Sequence, residues 1–235
     1  MMSQKTIFFI NLIFITLFCG YIHITGFNPK ETEEAAVIKT DGFGDEFAFF
    51  LINHDNPLPK NFKIERSVIQ DGFEMDARCA GYAMQMLEDA KKDGITLKVC
   101  SAYRSPEEQT EIFDKNVEML IKKKYDPKEA ERLTLREIAA PYESEHNCGL
   151  AMDLITEDWF INHDDLNADF EYTGEFKWLS ANAWKYGFIL RYPKGRSDIT
   201  GIIYEPWHYR FVGLQKAEQI YCSNLTLEEY IERYA

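Results

Sequence analysis

The sequence lacks most of the short motifs that identify a common enzyme class. It has no Gly-x-Ser-x-Gly nucleophile elbow, no Gly-Lys-Ser/Thr phosphate loop, no dinucleotide fingerprint, no Cys-x-x-Cys pair and no internal repeat. Basic residues are also scarce, because 26 Lys and Arg stand against 39 Asp and Glu and leave a net charge of −13. This charge argues against nucleic acid and anionic membrane surfaces as partners.

Charge is missing altogether from one long N-terminal segment. Residues 6–27 are uncharged and mostly apolar, Lys5 precedes them, and acidic residues follow. A helix of this length extends about 33 Å, enough for a hydrocarbon core of about 30 Å, and the positive flank stays inside. We therefore expect a single-pass signal anchor at 1–27, a linker at 28–40 and one extracytoplasmic domain at 41–235. A cleaved signal peptide is the alternative, although no clean small-x-small cleavage site is present.

Cysteines are too few and too scattered to define a disulfide framework. Those beyond the N-terminal segment are Cys79, Cys100, Cys148 and Cys222. An exported domain permits disulfides, but the sequence does not separate the possible pairings. Free buried thiols acting as small hydrophobic side chains are the other possibility. We expect Cys148, two positions from a candidate metal ligand, to be such a thiol.

Helices are predicted where apolar spacing and capping residues agree. Residues 76–93 carry apolar or small side chains at helical spacing and stop at Gly94, a residue suited to the left-handed position after a helix. Capping signals predict further helices. These begin at Ser105, at Asp126 (ending at Pro141) and at Thr226, and another helix is predicted over 175–186.

Short apolar or alternating runs predict the strands. They lie at 46–52, 96–101, 150–155, 188–191, 202–204 and 209–212. The acidic stretch 156–173 is predicted to be a surface loop. Helices and strands mix without strict βαβ alternation, which favours an α+β fold with an antiparallel sheet.

Two distant segments together supply the side chains of a catalytic zinc site. One reads SEHNCGLAMD and contains His146 and Asp153; the other reads EPWH and contains Glu205 and His208. Catalytic zinc uses three protein ligands and leaves a position for water, whose pKa the metal lowers. A neighbouring Glu can take the proton of that water. We therefore assign the two histidines and Asp153 as ligands and Glu205 as the general base.

The spacing in both segments requires a bend in the backbone. Glu205 and His208 are three apart and would point to opposite faces of a strand, so Pro206 must redirect the chain. The two ligands of the other segment are seven apart, and Gly149 permits the turn that they need. Either segment alone would more often hold a structural histidine. Only these two of the five histidines lie in such a context, so together they indicate a metal site.

These segments resemble the VanY-type D-alanyl-D-alanine carboxypeptidases, zinc peptidases of family M15 that trim peptidoglycan stem peptides. The resemblance extends from Phe47 to the C-terminus with the segments in the same order. The matching segments are 101–109, 144–153 and 204–213, with softer matches at 51–59, 178–193 and 227–230.

The resemblance implies a hedgehog/DD-peptidase fold, a small antiparallel sheet flanked by helices. It also implies one zinc ion per chain and a bacterial enzyme that removes the C-terminal D-alanine from peptidoglycan stems. We expect a monomer at the cell membrane. A related L,D-carboxypeptidase or D,D-dipeptidase is the nearest alternative. A wall-binding module without catalysis is a further alternative, although such a module has no chemical need for a general base.

The resemblance also carries roles for individual residues. The family's metal ligands fall on the three residues assigned above, and its catalytic Glu falls on Glu205. Its Tyr-Arg-Ser segment falls on Tyr103 and Arg104, and the arginine would stabilise the oxyanion. Ser144 and Gln109 match positions that help to hold the substrate, and Tyr103 is predicted to assist them.

Overall fold

The computed structural model describes residues 45–162 and 166–234. The predicted anchor at 1–27 and linker at 28–40 lie outside these residues. Within the described part of the chain, no helix has the length and apolar composition needed to cross a bilayer. All described residues belong to the unit Thr40–Ala235.

The described residues mix helices with short strands. The α-helices are α1 (Ala77–Lys92), α2 (Pro106–Lys122), α3 (Pro127–Thr134), α4 (Glu157–Asn162), α5 (Gly174–Asn182), α6 (Ser197–Thr200), α7 (Leu214–Ser223) and α8 (Leu227–Tyr234). The strands are β1 (Arg66–Gln70), β2 (Phe73–Asp76), β3 (Leu97–Ser101), β4 (Ala151–Thr156), β5 (Phe188–Leu190) and β6 (His208–Phe211). Single 3-10 turns span Asp45–Ala48, Glu145–Cys148, Ala168–Tyr172 and Ala183–Tyr186.

The strands pair into a hairpin and a central sheet. The hairpin joins β1 to β2, and the sheet has four strands in the order β3-β4-β6-β5. Every pairing among them is antiparallel. The predicted α+β class with a small antiparallel sheet is therefore confirmed.

Local capping explains where several helices begin. Ser105 and Glu108 form a reciprocal capping box at the start of α2, and Thr226 and Glu229 form the same pair of bonds before α8. Each box satisfies two backbone N–H groups that the first turn of a helix leaves free. Gly94, after α1, has a positive φ of 79° as predicted.

The central strands are covered on both faces. Alternate residues of β6 point to opposite sides, yet all four are buried. Phe211 lies in the apolar core, where its ring contacts those of Phe47, Tyr82 and Phe188. The opposite face carries His208 and is buried by polar groups. Buried strands therefore place charged side chains inside the molecule.

The predicted strand 46–52 is wrong, and an arginine explains why. The segment starts as the 3-10 turn Asp45–Ala48 and continues without strand pairing. The Arg210 guanidinium donates hydrogen bonds to the carbonyls of Ala48 and Phe50. These carbonyls are satisfied by a side chain and need no neighbouring strand.

Several other predictions also differ from the structure. The predicted strand 202–204 has single backbone bonds, such as Ile203 N–H to the Arg136 carbonyl, instead of a ladder. The predicted loop 156–173 contains α4 and a 3-10 turn that buries Phe170. The predicted third helix ends earlier, at Thr134. The sequence interpretation missed the β1–β2 hairpin and α7.

No disulfide joins the cysteines among the described residues. Cys79 and Cys148 are fully buried. The Cys148 thiol donates to the Glu145 carbonyl at 3.0 Å. The expectation of a buried thiol at this position is therefore confirmed.

Candidate metal centre

Two of the proposed ligands meet because their strands are antiparallel neighbours. Asp153 in β4 and His208 at the start of β6 lie directly opposite each other. Partners of this kind hold their Cβ atoms about 5 Å apart. His208 Nδ1 accordingly lies 3.1 Å from Asp153 Oδ1. The sheet thus joins residues that are distant in the sequence.

His146 reaches the same point through a turn that precedes β4. It lies in the 3-10 turn Glu145–Cys148, which ends at Gly149 with a positive φ of 71°. His146 Nδ1 lies 2.7 Å from the Ala102 carbonyl, an acceptor that places the ring proton on Nδ1. The other nitrogen, Nε2, is 3.3 Å from Asp153 Oδ2. The turn at Gly149 provides the bend that the spacing required.

Glu205 lies on a second turn, immediately before β6. Its backbone N–H donates to the Tyr192 carbonyl at 3.1 Å, and its own carbonyl accepts from the His208 N–H at 3.2 Å. Since β6 begins only at His208, Glu205 is not part of the strand, and the two side chains can point to the same side. Glu205 Oε2 consequently lies 3.6 Å from His208 Nδ1. The bend expected at Pro206 is present.

The convergent side chains fit a divalent metal ion. Ligand atoms of His146, Asp153 and His208 all lie within 4.8 Å of one another, and all three residues are buried. Asp153 Oδ1 is buried and makes no well-aligned hydrogen bond to any described residue, so it is available to bind a metal ion. Two imidazole nitrogens and one carboxylate oxygen form a donor set that catalytic zinc accepts. The set also leaves a coordination position open.

Burial and nearby charges separate the two histidines. Burial, reinforced by the Arg104 guanidinium, lowers the pKa of His146 to about 4 and keeps its imidazole neutral. Burial also opposes charge on His208, but its interactions with the Asp153 and Glu145 carboxylates outweigh it and raise the pKa to about 9. Burial alone would raise the pKa of Asp153, but the two histidines hold it well below its usual range. The centre therefore favours a positive charge between these groups.

A cavity of about 650 Å³ opens above the three ligands. Arg104, Gln109, Ser144 and Glu205 supply polar groups to its wall, and apolar side chains such as Trp207 complete it. Among the described residues, Arg104 Nε and Gln109 Oε1 are buried without a hydrogen-bond partner. One donor and one acceptor are thus available to a bound molecule.

The loop that carries Arg104 is fixed by the metal-centre turn. The Arg104 N–H donates to the His146 carbonyl at 3.2 Å, and the Arg104 carbonyl accepts from Asn147 Nδ2 at 2.9 Å. Burial lowers the pKa of Arg104, although a guanidinium stays protonated. A fixed positive charge therefore faces the cavity.

Tyr103 is the one predicted site residue that the structure does not bring to the cavity. The Arg66 guanidinium lies over its ring, 4.4 Å from the centroid, and its N–H donates to the Glu74 carbonyl. Tyr103 is absent from the described residues that line the cavity. Its ring packs against the β1–β2 hairpin instead.

A buried ion network lies behind the metal centre, and the sequence interpretation missed it. Glu145 contacts both Arg191 and Arg210, and all three side chains are fully buried. Arg191 also forms a two-bond pair with Glu228 on α8. The available signal was an arginine next to or within each of two apolar strands, since a buried guanidinium requires acceptors.

Comparison with known proteins identifies the family. The sequence model described as "VanY: D-alanyl-D-alanine carboxypeptidase" matches residues 72–214, more than half of the chain. This chain belongs to the VanY family. A D-alanyl-D-alanine carboxypeptidase of Enterococcus faecalis is 36% identical over 206 residues, which cover 87% of this chain and 72% of the relative.

Solved structures of VanY-like peptidases share the fold. A vancomycin-resistance D,D-pentapeptidase VanY in complex with Zn(II) matches with a TM-score of 0.70 and 34% identity. The match covers 79% of this chain and 99% of the other. The LdcB LD-carboxypeptidase matches with a TM-score of 0.66 and 39% identity, over 77% and 84% of the two chains. The predicted family, fold, zinc dependence and metallocarboxypeptidase class are confirmed.

Proposed function

We propose that this VanY family member removes the C-terminal D-alanine from peptidoglycan stem peptides by metal-assisted hydrolysis. One observation supports this above all others. Ligand atoms of His146, Asp153 and His208 converge within 4.8 Å, and Glu205, a candidate base, lies 3.6 Å from one of them. All of these groups border one cavity.

The proposed ligands are His146 Nε2, the Asp153 carboxylate and His208 Nδ1, which would hold one zinc ion. Zinc in such a site lowers the pKa of the attacking water and polarises the scissile carbonyl. The chain fixes the donors through their outer contacts, because the Ala102 carbonyl accepts from His146 Nδ1 and leaves Nε2 as the donor atom.

Glu205 is proposed to move the proton. Burial raises its pKa to about 8, and the opposing pull of His208 is smaller. A general base is most effective when its pKa lies near the working pH, because it can both take a proton and release it. In this role Glu205 removes a proton from the attacking water and delivers it to the leaving D-alanine amine.

Arg104, Ser144 and Gln109 are proposed to bind the substrate. Arg104 points its charge into the cavity and has a free Nε, so it can stabilise the oxyanion that forms as water adds to the carbonyl. Gln109 donates to the Ala139 carbonyl at 2.7 Å. That bond fixes the amide and leaves Oε1 to accept an N–H from the peptide.

The proposed location is the outer face of a bacterial membrane. The uncharged run 6–27 preceded by Lys5 supports a single-pass anchor with the catalytic domain outside. Peptidoglycan stems are accessible on that side. The enzyme is proposed to act as a monomer.

The proposal also specifies which stem peptide is cleaved: D,D cleavage acts on pentapeptide stems and L,D cleavage on tetrapeptide stems. Of the two solved structures compared above, one is named a D,D-pentapeptidase and the other an LD-carboxypeptidase. We favour D,D cleavage because the family model and the enterococcal relative are both described as D-alanyl-D-alanine carboxypeptidases.

The test is mass spectrometry of purified muropeptides incubated with the full chain. Pentapeptide stems should lose one alanine, a chelator should block that loss, and added zinc should restore it. Cleavage restricted to tetrapeptide stems would replace the proposal with L,D specificity. Cleavage of free D-Ala-D-Ala alone would indicate a dipeptidase. Zinc binding without cleavage of any substrate would favour a wall-binding module.

A further inference from the structure

Glu145 occupies a position between the ion network and a proposed metal ligand. Arg191 Nε and Arg210 Nη1 donate to the same oxygen, Oε1, at 2.7 and 2.8 Å. The second oxygen, Oε2, lies 3.4 Å from His208 Nε2. One carboxylate thus accepts from two cations through one oxygen and faces an imidazole through the other.

The network keeps Glu145 in this orientation. Arg191 is held on its far side by Glu228, with Nη2 to Oε1 at 2.6 Å and Nη1 to Oε2 at 3.0 Å. Its backbone N–H also donates to the His208 carbonyl at 3.2 Å. Arg210 donates three further hydrogen bonds to backbone carbonyls, including that of Phe211. Neither arginine can turn away without leaving a buried acceptor unpaired.

His208 needs such a partner because of the way its ring is oriented. Nδ1 faces Asp153 and Glu205, and only a nitrogen without a proton can donate to a metal. The ring proton must then lie on Nε2, the nitrogen that faces Glu145. A carboxylate accepts hydrogen bonds and offers none, so it stabilises this arrangement and disfavours its opposite.

We propose that Glu145 is a positioning residue for the metal centre: its Oε2 holds the proton of His208 on Nε2 and so presents Nδ1 to the metal. This inference rests on the proposed zinc site but adds a residue outside the ligand set. Carboxylates that orient metal-bound histidines in this way strengthen metal binding about 10- to 100-fold. Arg191 and Arg210 act one step further out, by fixing Glu145.

The informative variant is Glu145→Gln, which keeps the shape and removes one acceptor. An amide has a single oxygen, so it can accept from the two arginines or from His208, but it cannot do both. Its NH₂ group must then point a donor at another donor. Glu228→Gln is the matched control, since it alters a carboxylate of the same network without touching His208. Its amide oxygen can still accept from Arg191, and the bond from Arg210 to Glu145 is unchanged, so Glu145 keeps its orientation.

The first measurement is zinc affinity, by competition of the full chain with a chromophoric chelator. Glu145→Gln should bind zinc about 10- to 100-fold more weakly than wild type, while Glu228→Gln should match wild type within error. Equal affinity of all three proteins would overturn the positioning role. Equal losses in the two variants would overturn it as well, by assigning Glu145 a purely structural role. Failure of the wild type to bind zinc would instead contradict the proposed function.

The second measurement reads the position of the ring proton directly, by ¹⁵N-histidine labelling of the zinc-loaded wild type. The His208 resonance, assigned by its loss in His208→Ala, should show a slowly exchanging proton on Nε2 with a downfield shift. Glu228→Gln should retain that signal, and a folded Glu145→Gln should lose the downfield shift. A wild-type proton on Nδ1, or a rapidly exchanging proton on Nε2, would overturn the proposal.

Discussion

Two buried glutamates flank the same imidazole in opposite surroundings. Glu145 lies on the core side of His208, where Arg191 and Arg210 contact one of its oxygens. Glu205 lies on the cavity side, and no lysine or arginine among the described residues pairs with it; its ion-pair neighbour is His208, 3.6 Å away. The two carboxylates therefore differ in their cationic neighbours more than in their burial.

Their proton affinities diverge accordingly. Burial would raise the pKa of Glu145, but the two arginines outweigh it and hold that pKa well below its usual range. Burial raises the pKa of Glu205 to about 8. A carboxylate with such cations remains a permanent acceptor, whereas one without them can exchange a proton near neutral pH. The same residue type is thus suited to positioning on one side of His208 and to proton transfer on the other.

The largest effect is expected when the cavity-side carboxylate is replaced. Glu205→Gln keeps the size of the side chain but cannot take a proton, so kcat should fall about 10²- to 10⁴-fold. Zinc affinity should change little, because Glu205 is outside the proposed ligand set. Stopped assays on pentapeptide stems and chelator competition would measure the two quantities.

The matched control is Glu218→Gln, a change at an exposed position of α7. It should leave both quantities at wild-type values. If Glu205→Gln turned over at the control rate, the proton-transfer role would be lost and the two glutamates would no longer differ in function. A parallel loss of zinc would instead place Glu205 among the ligands.

The next largest effect is expected when the ion network on the core side of His208 is broken, and it concerns the free energy of unfolding. Arg210→Met removes a fully buried guanidinium that contacts Glu145 at 2.8 Å and also satisfies three carbonyls. Removing one partner of a buried pair costs about 3–5 kcal/mol in the free energy of unfolding. Denaturant titration of the zinc-free protein, followed by circular dichroism, would measure it.

Arg132→Met provides the comparison, because Arg132 forms an exposed pair with Glu129 in α3. Water screens such pairs, so the unfolding midpoint should stay at the wild-type value. Similar midpoints for Arg210→Met and Arg132→Met would show that the network behind the metal centre does not stabilise the fold.

The residues of the centre that were predicted from the sequence are those that lie close together within short segments. His146 and Asp153 lie within one decapeptide, and Glu205 and His208 lie within one tetrapeptide. The bends at Gly149 and Pro206 follow from residue type, because one residue adopts a positive φ and the other cannot continue a ladder. Capping boxes are equally local, which explains why the starts of α2 and α8 were predicted.

The part that escaped prediction depends on contacts between distant elements. Glu145 acquires its role only when β5, β6 and α8 bring Arg191, Arg210 and Glu228 together. The same arginine overrides the strand preference of 46–52 by binding its carbonyls. The β1–β2 hairpin carried a usable signal, since Asp-Gly at 71–72 is a strong turn dipeptide. Tertiary charge pairing has no comparable local signature.

The smallest effect is expected at the turn that sets Glu145 and His146 on their two sides of the centre. Gly149 has a φ of 71°, and a Cβ there would touch the Ile64 side chain and lie 3.0 Å from the Asp76 backbone nitrogen. A left-handed alanine costs about 1–2 kcal/mol by itself. Gly149→Ala should exceed that cost and should also weaken zinc binding, because the turn must shift.

Gly94→Ala separates the cost of the left-handed backbone from the cost of close packing around the added Cβ. Gly94 also has a positive φ, of 79°, but an added Cβ meets nothing within 4 Å. This variant should therefore show the backbone cost alone, with zinc affinity unchanged. If the two alanine variants had equal unfolding midpoints and equal zinc affinities, close packing at Gly149 would have no part in placing the ligand. A selective loss of zinc affinity in Gly149→Ala would mean that zinc binding depends on the turn that positions Glu145 and His146.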